Sequence, residues 1–474
     1  VVLTLFVLQI LVLTYGVGVI LYCFNKIVVQ GKPEYLLLFF CLFAPAYTTI
    51  LSLAYQLSGT PLLVAFFKYA KEVLTLGALA VFVFGRRKPL DYGVRMYSLD
   101  YAIMVFLALA LVFALMPIGP SSFVNKAVYF KNLLLLGIMY FLGRNIKLSY
   151  DFQKKIFNAI LATLVLAFIV TGFEKLTNTH FQSIIGYSAY NQDIMDIEPT
   201  GNYGLQWTFE AAGGVKRFAA FFHSPLALAS SMLLTLIVAF ALFTSVKYRL
   251  NKLKYLLLML LAVMCLIFAY SRAAIGGIFL AGVFLAFTFG YRKLIYTGLL
   301  SLLVFWLYVV FLAPEDVRYY VFDTISFSDS SSLGHIAEWI EGIETATQNP
   351  LGYGLATSGN VGGVDEDLQV GGENQYIIFA VQLGIPGLIV YLSVIFLTIS
   401  VSLRAYRMSD TRQDKLIPLI TASFKFGLLF LMMFSNTENY GNISYLIWWF
   451  AGTSVAIYST AKYDSSLKFK YATN

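Results

Sequence analysis

The sequence predicts an all-α polytopic membrane protein with about 12–14 transmembrane helices. Three observations carry that expectation. Of 474 residues, 59% are hydrophobic and only 12% are charged, with a mean hydropathy of +0.76. Uninterrupted apolar runs of bilayer-crossing length recur along the whole chain, which no soluble core requires. The basic residues collect in every second gap between those runs, as the positive-inside rule demands. A net charge of +8 distributed in this way is a topology signal, and it gives no reason to expect nucleic acid as a partner. Cys23, Cys41 and Cys265 all fall inside apolar runs, so neither a disulfide framework nor a zinc site is expected.

Taken in order, the apolar segments lie at roughly 2–24, 35–55, 62–85, 98–117, 124–143, 156–173, 218–245, 255–271, 273–290, 294–313, 376–402, 416–436 and 441–460. The first is long and shows no A-x-A cleavage pattern, so it reads as a spanning helix and not as a signal peptide. Basic clusters fall at Lys26 and Lys32, Arg86 to Arg95, Arg144 to Lys155, Lys247 to Lys254, Arg292-Lys293, Arg404 to Lys415 and from Lys462 onward. These gaps hold most of the 33 Lys and Arg residues and are assigned to the cytoplasm. The remaining gaps are then extracytoplasmic, the C-terminus lies inside, and an odd helix count puts Val1 outside. Five parts follow: helices over 1–173, an outer loop over 174–217, central helices over 218–313 with a turn at Arg272, a large outer loop over 314–375, and helices with a cytoplasmic tail over 376–474. No internal repeat is visible, which disfavours a transporter built from inverted repeats.

The stretch from Gly334 to Gly387 organises the rest. Ile336, Trp339, Ile340 and Ile343 recur at helical spacing, with Glu338, Glu341 and Glu344 off that face. Asn349-Pro350 ends this amphipathic helix, and Gly352 and Gly354 permit a tight turn. The chain restarts at Glu373 and enters a long apolar segment. A polar, carboxylate-bearing loop is thus held between a surface helix and a membrane helix.

Charged residues on the outer face are few, which makes each one informative. Arg217 stands where the first long loop enters a helix, in KRFAAFFHSPLALA, and Arg272 stands at an outer turn, in YSRAAIGG. An arginine there either grips a phosphate bidentately or acts as a snorkelling anchor or carboxylate partner. His223 follows Arg217 at the same helix start and can hydrogen-bond a phosphate or a sugar. Glu373 is a candidate base, or a helix-start residue beside the potential cap Asn374. His335, in a polar loop on the same side, is the competing base, or it packs against Glu338. His180 has no context. Trp339, Asn374, Tyr376 and Lys425 are candidate substrate contacts, and Tyr187, Tyr190 and Trp207 are further aromatic surfaces for sugars. Lys425 lies in an apolar segment and faces either an anionic substrate or a carboxylate on another helix. Lys68 and Glu72 have the spacing of an internal pair. Asp365-Glu366-Asp367 contains a D-x-D spacing, but such triplets in glycine-rich loops are usually solvated turns, so no metal is assigned.

Four elements in order, R-x₅-H-S-P-x-A-L-A, S-R-A-A-x-G-G, W-x₉-N-P-L-G-Y-G and E-N-Q-Y-x₆-L-G-I-P-G, resemble those of the bacterial O-antigen ligase/polymerase family over about 217–390. The resemblance implies a GT-C-like membrane glycosyltransferase at the outer face of the bacterial cytoplasmic membrane. It would take a polyprenyl-pyrophosphate-linked glycan donor and a glycan acceptor in a metal-independent reaction without a cofactor. Arg217 and Arg272 match the arginines thought to hold the pyrophosphate. Glu373 matches a position where many ligases carry histidine, and His223 departs from the asparagine-like residues common there. The expected function is polymerisation, with a chain-length regulator as a further partner. Alternatives are ligation to lipid A core, glycosylation of protein hydroxyls and, from a different class, a lipid-linked oligosaccharide flippase. Polar residues gathered on one face favour an enzyme over that transporter.

Overall fold

The computed structural model describes residues 2–85, 95–211, 214–326, 330–359, 364 and 369–472. The Asp365-Glu366-Asp367 triplet lies outside the described residues. All thirteen predicted apolar segments contain helix. α1 (Val2–Phe24) is followed by α2 (Tyr35–Phe43) and α3 (Tyr47–Ser58), which form one span bent at Pro45. α4 (Pro61–Phe84), α5 (Ser98–Leu115), α6 (Phe123–Asn145) and α7 (Tyr150–Thr177) follow. The first polar insertion holds α8 (Phe181–Ile184), α9 (Tyr187–Met195) and an antiparallel pair, β1 (Glu210–Ala211) and β2 (Val215–Lys216), with Glu210 opposite Lys216. Next come α10 (Pro225–Ser245), α11 (Arg249–Phe268), α12 (Arg272–Thr288) and α13 (Lys293–Phe311). The second insertion holds α14 (Glu315–Ser326) and α15 (Ser330–Gln348), before α16 (Gln375–Met408), α17 (Arg412–Leu431) and α18 (Gly441–Ala472).

Among the described residues, nine helical spans are long and apolar enough to cross a membrane. α4 and α17 carry more charge and α12 is only 17 residues long, yet each packs within the same bundle. This is a multi-pass membrane protein. Phe39, Phe106, Phe379, Tyr391 and Trp449 are fully buried in a core built from α2, α5, α16 and α18. The rings of Phe379 and Tyr391 lie 4.4 Å apart. α13, by contrast, exposes nearly its whole apolar surface, which suits contact with lipid.

Two sequence expectations are corrected here, and one apolar stripe is given its direction. Residues 218–224 are irregular, because the helix starts only at Pro225, where the Ser224 hydroxyl accepts from the Ala227 N–H at 3.2 Å. Glu72 pairs with Lys131 of α6 at 2.9 Å, across helices and not along α4 with Lys68. The isoleucine stripe of α15 faces away from the bundle: Ile336, Ile340 and Ile343 are exposed, while Gly342 and Ala346 pack on α16. Periodicity reveals an apolar stripe but not its destination, and beside a bilayer protein and lipid are both apolar.

α16 is broken near its start. Gly384 has φ 72°, and the loop Asn349–Gly354 docks in that break. Ile385 N–H donates to Pro350 O at 2.9 Å, and Tyr353 N–H donates to Val381 O at 2.7 Å. The side chain of Gln382 accepts from Ala356 N–H and donates to Ser358 O, both at 2.8 Å. The N-P-L-G-Y-G element is therefore a docking device that fixes the outer turns of α16. A Cβ at Gly384 would lie 2.6 Å from Pro350 O and require a left-handed backbone. Gly384→Ala is expected to cost about 1–3 kcal/mol, read as a lower unfolding temperature in detergent.

Candidate active site

Two arginine-bearing segments meet at the end of the bundle that carries the polar insertions. The backbone from Arg217 to Phe222 is stitched onto the turn between α11 and α12. Phe218 N–H donates to Phe268 O at 3.1 Å, and the Arg217 Nε–H donates to Ala269 O at 3.1 Å. Tyr270, at φ 46°, reverses the chain, and the Ser271 hydroxyl caps α12 by accepting from Ala274 N–H. Arg272 is thus the first residue of α12, three positions from the carbonyl that Arg217 holds.

The A-A-x-G-G that follows Arg272 has its own task. A Cβ on Gly277 would run into Leu431 and lie 3.0 Å from Gly427 O. These small residues let α12 approach α17 closely, which sets Arg272 near the segment after α17.

The Arg217 segment is held from below by three elements. The Glu174 carboxyl, fully buried at the end of α7, accepts from Phe181 N–H and Ala220 N–H, both at 2.9 Å. Gln182 of α8 donates to Ala220 O at 2.8 Å and to Phe222 O at 2.9 Å. Thr49 of α3 donates to Phe221 O at 2.8 Å. Ala220 itself sits at φ 51°, a conformation an alanine keeps only when its surroundings insist. Glu174→Ala would leave two buried N–H groups unpaired. We expect a loss of roughly 2–4 kcal/mol in thermal stability and a fall in activity as the Arg217 backbone relaxes.

Glu373 stands opposite, half-buried, two residues before α16 begins. Burial pushes its carboxyl above the ordinary carboxylate range and Glu338 raises it further, while His335 and Arg217 favour the charged form. His335 lies on α15 and not in a loop, with Nδ1 3.5 Å from Glu338 Oε2 and its ring 5.9 Å from Phe434. Trp339, one turn on, packs 5.4 Å from the same phenyl ring, and its buried indole N–H has no partner among the described residues. The α15 face with His335, Glu338 and Trp339 therefore covers the segment between α17 and α18. His223 is half-buried with its ring 5.2 Å from that of Tyr440, and burial pushes its imidazole down to about 4, so it is neutral near pH 7.

Three sequence-stated contacts carry structural tasks. Asn374 is the cap of α16, its side-chain oxygen accepting from Tyr376 N–H at 3.0 Å and Ile377 N–H at 3.3 Å. The Tyr376 hydroxyl donates to Leu429 O at 2.8 Å. Lys425 is not held open for an anion: it pairs with Glu438 at 2.9 Å in the interior. The Glu438 carboxylate also accepts from Tyr391 at 2.8 Å and Trp448 at 2.7 Å, and its backbone N–H donates to Gln375. This network ties α16, α17 and α18 together and includes Gln375, two residues after Glu373.

Sequence reasoning missed Glu338 as a neighbour of Glu373, and it missed Tyr440, Asn436, Glu438 and Glu174. Tyr440 is buried and lies close enough to Glu373 and Arg217 to feel both charges. The Asn436 carboxamide is buried, and among the described residues neither its nitrogen nor its oxygen is bonded. A signal existed for three of them: N-T-E-N-Y-G-N is a dense polar break between two apolar runs, on the outer side. Glu174 had none, because it sits at the edge of an apolar run like any helix-end acid.

Residues 257–392 match the model of the O-antigen ligase family. The matched stretch runs from α11 into α16 and includes Arg272, His335, Trp339, Glu373, Asn374 and Tyr376, while Arg217, His223 and Lys425 lie outside it. No curated protein matches the chain.

Proposed function

We propose, from the premise that this membrane bundle carries an O-antigen ligase domain over residues 257–392, that the protein is a polysaccharide polymerase. The observation that carries the reading is that Arg217, anchored on the Arg272 turn, lies close enough to Glu373 of the second polar insertion for its charge to favour the ionised carboxyl. The donor is a glycan on a polyprenyl pyrophosphate, and the acceptor is a second lipid-linked repeat unit. Arg217 and Arg272 hold the pyrophosphate, with neutral His223 as a hydrogen-bonding neighbour. The acceptor hydroxyl oxygen attacks the anomeric carbon while its proton passes to the Glu373 carboxylate. The bond from that carbon to the pyrophosphate oxygen breaks, and polyprenyl pyrophosphate leaves with the electron pair. Its growing negative charge falls beside two fixed guanidiniums in a partly dehydrated site, where such stabilisation is strong. His335 orients Glu338 and serves as the base only if Glu373 does not. The reaction runs without a metal, at the outer face of the cytoplasmic membrane. That sidedness is supported by the basic clusters at the opposite ends of the helices. A protein that regulates chain length is a further partner under this reading.

One observation favours a second reading: the matched family is described as an O-antigen ligase, for which the acceptor would be lipid A core. Purified protein in detergent, supplied with polyprenyl-pyrophosphate repeat units alone, decides between them. A ladder of longer lipid-linked products supports the polymerase. Transfer only after lipid A core is added moves the assignment to ligase, and no transfer with any acceptor overturns both.

A further inference from the structure

A second group of cations lies among the first helices, apart from Arg217 and Arg272. Lys68, Lys71 and Glu72 all fall in the first half of α4. Lys131 reaches them from α6, its ammonium pairing with Glu72 at 2.9 Å. Lys71 Nζ lies 5.1 Å from the centre of the Tyr47 ring, and the Tyr47 hydroxyl donates to Lys68 O at 3.4 Å. Lys71 is close enough to Lys68, Lys131 and Glu72 to feel all three charges, and among the described residues no other carboxylate acts on it. Asp193, which α9 brings to the end of α3, already accepts from the Tyr55 hydroxyl at 2.7 Å. The next acid after Glu72 in the sequence is Asp91, which comes only after the other end of α4. Among the described residues, three ammoniums therefore face one carboxylate, an excess of two positive charges. The group sits in the half of the bundle that carries the polar insertions, since the turn before α4 adjoins Gly186 and Asp193. It is also tied to the Arg217 segment. Thr49, two residues after Tyr47, donates to Phe221 O, and Tyr187 of α9 donates to His223 O at 3.0 Å.

We infer that Lys68, Lys71 and Lys131 hold the pyrophosphate of the acceptor's carrier lipid, an inference that rests on the polymerase reading. Under that reading two lipid-linked substrates are bound at once, and each brings its own pyrophosphate. The donor's lies at the bond that breaks, between Arg217 and Arg272. The acceptor's lies one repeat unit away, because it is the far end of the acceptor glycan that reaches Glu373. A second, separate group of cations on the same half of the bundle meets that need. The charge matches as well. A pyrophosphate joined to a sugar and a polyprenol carries two negative charges, equal to the excess here, whereas a phosphatidylglycerol headgroup carries one. Uncompensated lysines within a membrane helix are costly, and an anionic ligand removes the cost. Lysine suits a pyrophosphate that is held and not cleaved, since its ammonium is a compact charge without a fixed fork. Phe66, Tyr69 and Val73 on the exposed face of α4 give the polyprenyl chain an apolar surface beside the group.

The test counts bound radiolabelled polyprenyl pyrophosphate on the full-length protein in neutral detergent, a measurement that needs no turnover. The wild type should bind two molecules per chain. Lys68→Gln/Lys71→Gln and Arg217→Gln/Arg272→Gln should each bind one, and the variant that combines all four substitutions none. Lys68→Arg/Lys71→Arg keeps the charge and should bind two, which separates loss of the site from loss of the fold. One molecule on the wild type overturns the inference, as do two on a lysine-to-glutamine variant. Phosphatidylglycerol or inorganic pyrophosphate is then added at the same concentration to Arg217→Gln/Arg272→Gln, where only the lysine site remains. Full displacement by the first gives the site to bulk lipid, and full displacement by the second gives it to a soluble anion; either overturns the inference. The polymerase reading fails separately. One bound carrier beside a ladder of longer products sinks the inference alone, while two bound carriers without transfer to any acceptor sink the polymerase and leave a second pyrophosphate site.

Discussion

Arg217→Ala is expected to lower kcat for glycan transfer by about 10²–10³-fold, the usual cost of removing one group that stabilises transition-state charge. The substitution removes a guanidinium whose charge favours the ionised form of Glu373 and also the Nε–H bond to Ala269 O. Two effects must therefore be separated. Arg217→Lys keeps a charge but cannot make a bidentate contact, so it should recover only part of the activity while folding as the wild type does. Arg272→Ala should behave like Arg217→Ala. Combining the two should cost less than the product of the single losses, because both act on one pyrophosphate. Steady-state transfer by each variant, beside its unfolding midpoint, checks this. Full activity in Arg217→Ala with unchanged stability would remove the arginine from the site.

Glu373→Gln is the second large effect, with an expected loss of about 10²–10⁴-fold from removal of a positioned base. The carboxyl must be deprotonated to accept the acceptor proton, so activity is present above its pKa and is lost as the pH falls through it. Burial raises that pKa and Glu338 raises it further, which puts the acid limb of the wild-type profile above the ordinary carboxylate range. Glu338→Gln removes a like charge and should move that limb to lower pH with little loss at the plateau. His335→Gln should move it the other way, since His335 favours the ionised form of Glu373. Glu373→Gln with full activity and the wild-type limb would transfer the role of base to His335.

The pattern of what could be read from the chain has a plain origin. Thirteen apolar runs and their alternating basic gaps are properties of composition and order, and the bilayer converts both directly into helices and topology. The amphipathic helix before Asn349-Pro350 was legible for the same reason. The direction its isoleucines face was not, because Ile336, Ile340 and Ile343 have lipid available as well as protein. Lys425 was readable as an intramembrane charge needing a partner, but whether the partner was a substrate or Glu438 depended on how α17 and α18 meet. Asn374 and Tyr376 were read as ligand contacts because they adjoin Glu373. In the fold, the backbone of α16 and the carbonyl of Leu429 claim them first.

The sequence by itself determined the bundle, the two polar insertions and the few outer charges worth attention, since each follows from the cost of leaving polar groups in hydrocarbon. Only the tertiary structure decided which of those charges meet. Arg217 reaches the Arg272 turn through backbone bonds to Phe268 and Ala269, and it is held there by Glu174, Gln182 and Thr49 from three other elements. Hydrogen bonds between segments far apart in the chain leave no periodicity behind them, so close packing and full satisfaction of buried polar groups had to supply that part.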